Sequence, residues 1–91
     1  MSISIEYKKD RLNPLWKTGT ITLGKYIYKF EAKVFDEPSQ FGIDNGCISK
    51  LYVKEHGKSE PMFVYERGWD IKPKTEIAKV LLSILQTEFD A

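Results

Sequence analysis

Reactive side chains are scarce in this sequence. Its 91 residues hold one cysteine, Cys47, and one histidine, His56. A lone thiol cannot close a disulfide within the chain, which suits a reducing compartment. A structural zinc site takes about four Cys or His ligands, and they are missing. No Walker-type loop and no Gly-x-Gly-x-x-Gly run occurs, so nothing supports nucleotide phosphate binding. The formal net charge is +1, whereas a dedicated DNA-binding domain is usually more basic. No basic stretch followed by an apolar core and a small-residue cleavage site opens the chain, so no signal peptide is expected. The longest apolar cluster, near the C-terminus, is broken by Lys79, Ser83 and Gln86 and is too short to span a bilayer. The expected location is the cytoplasm. Neither a cofactor nor a metal is expected.

What the chain does have is alternation. The stretch Trp16–Phe35 contains two alternating runs joined at Leu23-Gly24-Lys25, the pattern of a β-hairpin. In the second run Tyr26, Tyr28, Phe30, Ala32 and Val34 share one face, and Ile27, Lys29, Glu31, Lys33 and Phe35 share the other. In the first run Thr18, Thr20 and Thr22 oppose Ile21 and Leu23, and β-branched threonine suits a solvated sheet face. Ile3, Ile5 and Tyr7 alternate with Ser2, Ser4 and Glu6, which reads as an earlier strand. Asn13-Pro14 is a turn signal. Cys47–Glu55 reads as a strand with Leu51 and Val53 on the face of Cys47 and Ser49, and Ile48, Lys50, Tyr52 and Lys54 on the other. His56-Gly57-Lys58 is a turn, and Pro61–Arg67 a last strand of unclear period. Gly68–Ile71 is expected to lead into a helix, with Pro73 in its first turn and Glu76 near its positive end.

From Ile77 to Phe89 the apolar residues fill a broad arc of about half the circumference at ~100° per residue. Glu76, Lys79, Ser83, Gln86, Thr87 and Glu88 fill the rest. Such a helix is expected to sit deep against the tyrosine face of the sheet. At this length the chain makes a single domain, 1–91. The expected fold is α+β: a four- to five-stranded antiparallel meander sheet with one C-terminal helix packed on one face.

Enzyme chemistry finds few parts here, and no catalytic residue is assigned. His56 reads as an exposed turn residue and Cys47 as a small, partly buried strand residue. Asp36, Glu37 and Asp44 are oxygen ligands in type, but they lack the EF-hand order and suit turn formation better. The loop Asp36–Gly46 holds Pro38, Gly42 and Asn45-Gly46 together with two large apolar residues, Phe41 and Ile43. Arg67-Gly68-Trp69-Asp70 brings together residue types enriched at interface hot spots. A tryptophan at a strand-to-helix junction also makes a core plug, and that is the expectation for Trp69 and for Trp16. The leading reading is a non-enzymatic binding module with Phe41, Ile43, Asp44, Arg67, Trp69 and Asp70 as its protein-contact surface. The second is a nucleic-acid binder using Lys29, Lys33, Lys50, Tyr52 and Lys54 on the outer sheet face, lysines with an interleaved aromatic. Glu31 among them weakens the field, and edge-guarding lysines are the plainer account. The partner is expected to be a protein rather than nucleic acid or membrane. The expected state is a monomer or a weak homodimer joined through an unpaired edge strand.

Several strings stand out together: WKTGT at Trp16–Thr20, FEAKVFDEPSQFGID at Phe30–Asp44, ISKL at Ile48–Leu51 and RGWDI at Arg67–Ile71. With these the chain resembles, over nearly its whole length, a group of short uncharacterised proteins from Gram-positive bacteria and their phages. The resemblance implies a cytoplasmic accessory protein linked to a phage or mobile element. The group has no assigned activity, so no site residue is carried over from it.

Overall fold

A computed structural model describes residues 3–8 and 15–90. Six strands and one helix follow in chain order: β1 (Ile3–Lys8), β2 (Trp16–Leu23), β3 (Tyr26–Val34), β4 (Ile48–Glu55), β5 (Phe63–Glu66), β6 (Trp69–Ile71) and α1 (Glu76–Phe89). The strands form a single antiparallel sheet whose spatial order is the sequence order. The Asn13-Pro14 turn lies outside the described residues.

The expected hairpin closes through two residues, with Leu23 opposite Tyr26 and Gly24 at φ +61. A positive φ is what a two-residue hairpin turn demands, and glycine supplies it without strain. Alternation then fixes the faces. Ile21, Leu23, Tyr28, Phe30, Ala32, Leu51 and Val53 are all buried in one core. Tyr7, Gly19, Phe30, Val53 and Phe63 lie in one row across five strands. Glycine at position 19 is required by the adjacent edge strand, because a Cβ there would stand 2.0 Å from the carbonyl oxygen of Glu6 on β1.

Four features of the sheet depart from the sequence reading. The sheet has six strands rather than four or five. The extra one, β6, is only three residues long, too short for a period to show, and occupies the stretch expected to lead into the helix. Strand β5 spans Phe63–Glu66 and does alternate, with Phe63 and Tyr65 buried. On β4 a bulge breaks the period: Lys33 pairs with Lys50 but Val34 with Ile48, so Ser49 is the extra residue. Ile48 therefore turns to the core and is fully buried, against the outward position its parity assigns. Trp16 pairs with Lys33 in a row on the face away from the helix, half-buried, and does not plug the core.

Helix α1 starts one turn later than Pro73 implies. Thr75 is the N-cap, its Oγ1 accepting the Ala78 N–H at 3.1 Å. Glu76 occupies the first turn, where its charge suits the helix dipole. The buried stripe is Ala78, Leu81 and Leu85, with Leu82, Ile84 and Phe89 packed partly against the core. Ile77 and Val80, which the sequence arc places inside, are 41% and 44% exposed. One helix flank is thus bare, and the helix sits less deep than its composition implies. At its far end Phe89 meets Tyr7 and Phe30 in a three-ring cluster with centroids 6.1–6.2 Å apart. The Tyr7 phenol donates to Glu88 Oε1, tying the edge strand to the helix.

Chemical denaturation followed by circular dichroism checks this packing. Leu81→Ala is expected to cost about 2–5 kcal/mol, as for a fully buried leucine. Val80→Ala is expected to stay within about 0.5 kcal/mol, because Val80 is half in water and alanine is the better helix former. Equal losses at the two positions would contradict the assignment of the buried stripe.

Candidate functional site

The long connection between β3 and β4 is held in place rather than trailing in solvent. Within it the backbone bonds itself: Gly42 N–H to the Ser39 carbonyl, Asn45 N–H to Gly42, and Gly46 N–H to Ile43, at 2.9–3.0 Å. A short 3₁₀ turn, Ile43–Asn45, results. Ile43 is 2% exposed and belongs to the core. The expected contact role for Ile43 is therefore replaced by an anchoring one: its side chain is spent on the interior. The C-terminal end of α1 adds polar clamps. Gln86 Nε2 donates to Asp44 Oδ2 at 2.7 Å, and the Cys47 N–H donates to Asp90 Oδ1 at 2.9 Å. Asp44 and Asn45 take φ values of +52 and +59, a region that Asp and Asn tolerate better than most residues.

The other half of the site is the turn between β5 and β6. Arg67 sits there at φ +59, in the left-handed region. For a long side chain that conformation costs about 1–2 kcal/mol. The Arg67 N–H donates to the Ser49 carbonyl at 3.0 Å, and the Glu66 N–H to Gly68 at 2.8 Å, so the turn is fixed to the bulged end of β4. The Arg67 guanidinium lies over the Phe41 ring, 4.5 Å from its centroid. Phe41 is 45% exposed, and its carbonyl accepts the Tyr65 hydroxyl at 2.9 Å. A second aromatic–cation pair lies nearby, with Lys33 Nζ 5.4 Å from the Phe35 ring. Lys50 reaches Glu66 at 3.9 Å. Lys33, Phe35, Phe41, Lys50 and Arg67, together with Asp36, Glu37 and the buried Ser49, line one groove.

The structure therefore brings Phe41 and Arg67 together and separates the other contact candidates from them. Asp44 is exposed but engaged by Gln86. Trp69 packs edge-on against Tyr65 and Phe63, with centroids 5.0 and 6.2 Å away, which agrees with a plug. Asp70 is exposed on β6. Phe35, Lys33 and Lys50 join the groove without having been singled out as protein-contact residues. Lys33 and Lys50 stood instead among the nucleic-acid candidates, and the alternation that sets Phe35 on the face of Lys33 is the signal that could have found it. On the open sheet face, Lys29, Lys33, Lys50, Tyr52 and Lys54 do stand together, with Lys29 opposite Lys54 and Lys33 opposite Lys50.

Cys47 and His56 lie at opposite ends of β4, about 30 Å apart along the strand at ~3.3 Å per residue, so they form no nucleophile–base pair. Among the described residues no three Cys, His, Asp or Glu side chains gather as a metal site, and no helix is long and apolar enough to cross a membrane. Burial pushes the Cys47 thiol above its ordinary value, and the charges of Asp90 and Asp36 push it further. Folding thus favours the protonated thiol. Its contribution to stability is present below about pH 8.5 and is lost as pH rises through the raised value. Alkylation of native protein by iodoacetamide at about pH 8 is expected to run several-fold slower than that of a free thiol. Asp90→Asn is expected to speed it. Native Cys47 reacting as fast as free cysteine would contradict this environment.

No curated protein and no solved structure matches the chain. A family model matches residues 15–90, from just before β2 to the cap of α1. The groove, the bulge and the helix that clamps the loop all fall inside that span, and the chain belongs to the family described as "Domain of unknown function (DUF7678)".

Proposed function

We propose that this protein is a small non-enzymatic binding module that engages a protein partner through the groove between the Phe35–Gly46 loop and the β5–β6 turn. The observation that carries the reading is the Phe41–Arg67 pair. Two residues distant in sequence are held face to face at the surface, 4.5 Å apart. One is an exposed aromatic and the other keeps a backbone conformation that glycine would adopt at lower cost. Strain retained at a surface position points to use of that position. Aromatic and arginine side chains are also the types that dominate binding energy at protein interfaces.

The supports beneath the pair are packed and hydrogen-bonded, which favours recognition without a large ordering cost. Ile43 fills the core, Asp90 and Gln86 hold the loop from the helix, and the Tyr65 hydroxyl holds the Phe41 carbonyl. Phe35 and Lys33 extend the same surface, while Asp36 and Glu37 supply the opposite charge along the loop. The partner chemistry that fits is a protein segment with an apolar or aromatic anchor flanked by charges of both signs. The setting implied by the resemblance is the cytoplasm of a Gram-positive bacterium or of one carrying a phage.

Affinity capture from such a lysate, with and without nuclease, tests the reading. A partner is expected to be retained after nuclease treatment. Phe41→Ala combined with Arg67→Gly is expected to weaken it by at least about 2 kcal/mol, some 30-fold. The double variant is expected to keep the wild-type thermal melt to within a few degrees, because glycine relieves the left-handed backbone at position 67. A partner captured equally well by the double variant would remove the groove from consideration.

A further inference from the structure

The sheet face turned away from α1 carries a charge arrangement that strand stability does not call for. Lys29 on β3 lies directly opposite Lys54 on β4, and Lys33 lies opposite Lys50. Like charges directly opposite one another across an antiparallel pair are destabilising. The second pair is relieved locally, Lys50 by Glu66 and Lys33 by the Phe35 ring. Lys29 and Lys54 form no ion pair with any described residue. Edge protection does not explain them either, since β3 and β4 are the two central strands of six.

The next row of the sheet sets Glu31 opposite Tyr52, and Thr18 and Lys8 continue it across β2 and β1. Thr20 continues the Lys29–Lys54 row, with Glu6 exposed at its far edge. Lys8, Thr18, Thr20, Lys29, Tyr52 and Lys54 surround one concavity in which Glu31 is the sole acid among the described residues. Three ammonium groups and three hydroxyls form a donor set for phosphate oxygens. Tyr52 stands about 6.6 Å from the lysine pair, two residues along the strand at ~3.3 Å each, and offers a ring on which a base can stack.

We propose that this concavity binds single-stranded nucleic acid, with backbone phosphates on Lys8, Lys29 and Lys54 and a base against Tyr52. The charge imbalance favours a polyanion, and the aromatic favours unpaired bases over a duplex, whose bases are already stacked. Among the described residues no arginine, asparagine or glutamine lines the concavity, the residue types that read base edges bidentately. Binding is therefore tolerant of sequence. The site lies apart from the Phe41–Arg67 groove and does not rest on it.

Fluorescence anisotropy with a labelled oligothymidylate of about 20 nucleotides tests the proposal. Binding is expected at about 50 mM salt, falling towards about 200 mM with a log–log slope near −2, as three phosphate contacts on a single strand require. Lys29→Glu with Lys54→Glu is expected to abolish it. Tyr52→Ala is expected to weaken it about tenfold, the loss of one stacked base. Glu31→Gln is expected to tighten it several-fold, and it decides the matter on its own should the charge-reversed variant fail to fold. Absence of binding at about 50 mM salt, unchanged affinity in the lysine or Glu31 variants, or equal affinity for a duplex of the same length would each overturn the proposal.

Discussion

One helix has to keep water from one side of six strands. Fourteen residues at ~1.5 Å rise make a rod of about 21 Å, and a helix with its side chains is about 10 Å across. Six strands at ~4.8 Å spacing span about 24 Å between the outermost axes. The rod alone cannot cover that width. Ala78, Leu81 and Leu85 close the middle, and other elements supply the rest. On one side Tyr7, Phe30 and Phe89 gather into a ring cluster; elsewhere the loop before β4 inserts Ile43, and Trp69 packs on Tyr65 and Phe63. The loop is therefore part of the covering layer, and this is why it is ordered enough to present Phe41. Where the cover runs out, Ile3 and Tyr26 stay in contact with water, as do Ile77 and Val80 on the bare flank of the helix.

The bulge at Ser49 links that covering problem to the groove. Up to Lys33 and Lys50 the register between β3 and β4 is regular, and then β4 takes one extra residue. The shift turns Ile48 inward and bends the strand end, as bulges do. Ser49, buried at 5% exposure, offers its carbonyl to Arg67. That bond sets the β5–β6 turn beside the loop, where Arg67 can lie over Phe41. Packing on one face and a surface pair at the strand ends thus share one irregularity of register.

Among the described residues no helix packs on the opposite face of the sheet. Threonines on β2 and lysines on β3 and β4 keep it wet, which suffices for solubility. Solubility does not ask for lysines in direct opposition on the two central strands, and that placement is what gives the open face chemical character of its own. The groove and the open face draw on separate side chains at their centres, Phe41 and Arg67 in one, Lys29, Lys54 and Tyr52 in the other.

Much of the fold was legible in the chain. The alternation in Trp16–Phe35 determined the hairpin, its two faces and the residues of the central core, because a period of two leaves each side chain one of two directions. The helical period after Thr75 determined the second layer, and the composition of the long loop marked Phe41 and Ile43 as unusual. Strand β6 was illegible because three residues carry no period, and Ile48 was misplaced because a bulge inverts parity without any local signal. The sequence could not tell Ile43 from Phe41, or Val80 from Leu81, since each pair is alike in hydrophobicity. Only the tertiary structure decided which member meets the interior, because burial depends on the width of the layer available to cover it and not on the residue itself. The same holds for Arg67 above Phe41: a contact between residues so far apart in sequence is set by strand register, a property of the assembled sheet and not of either segment alone.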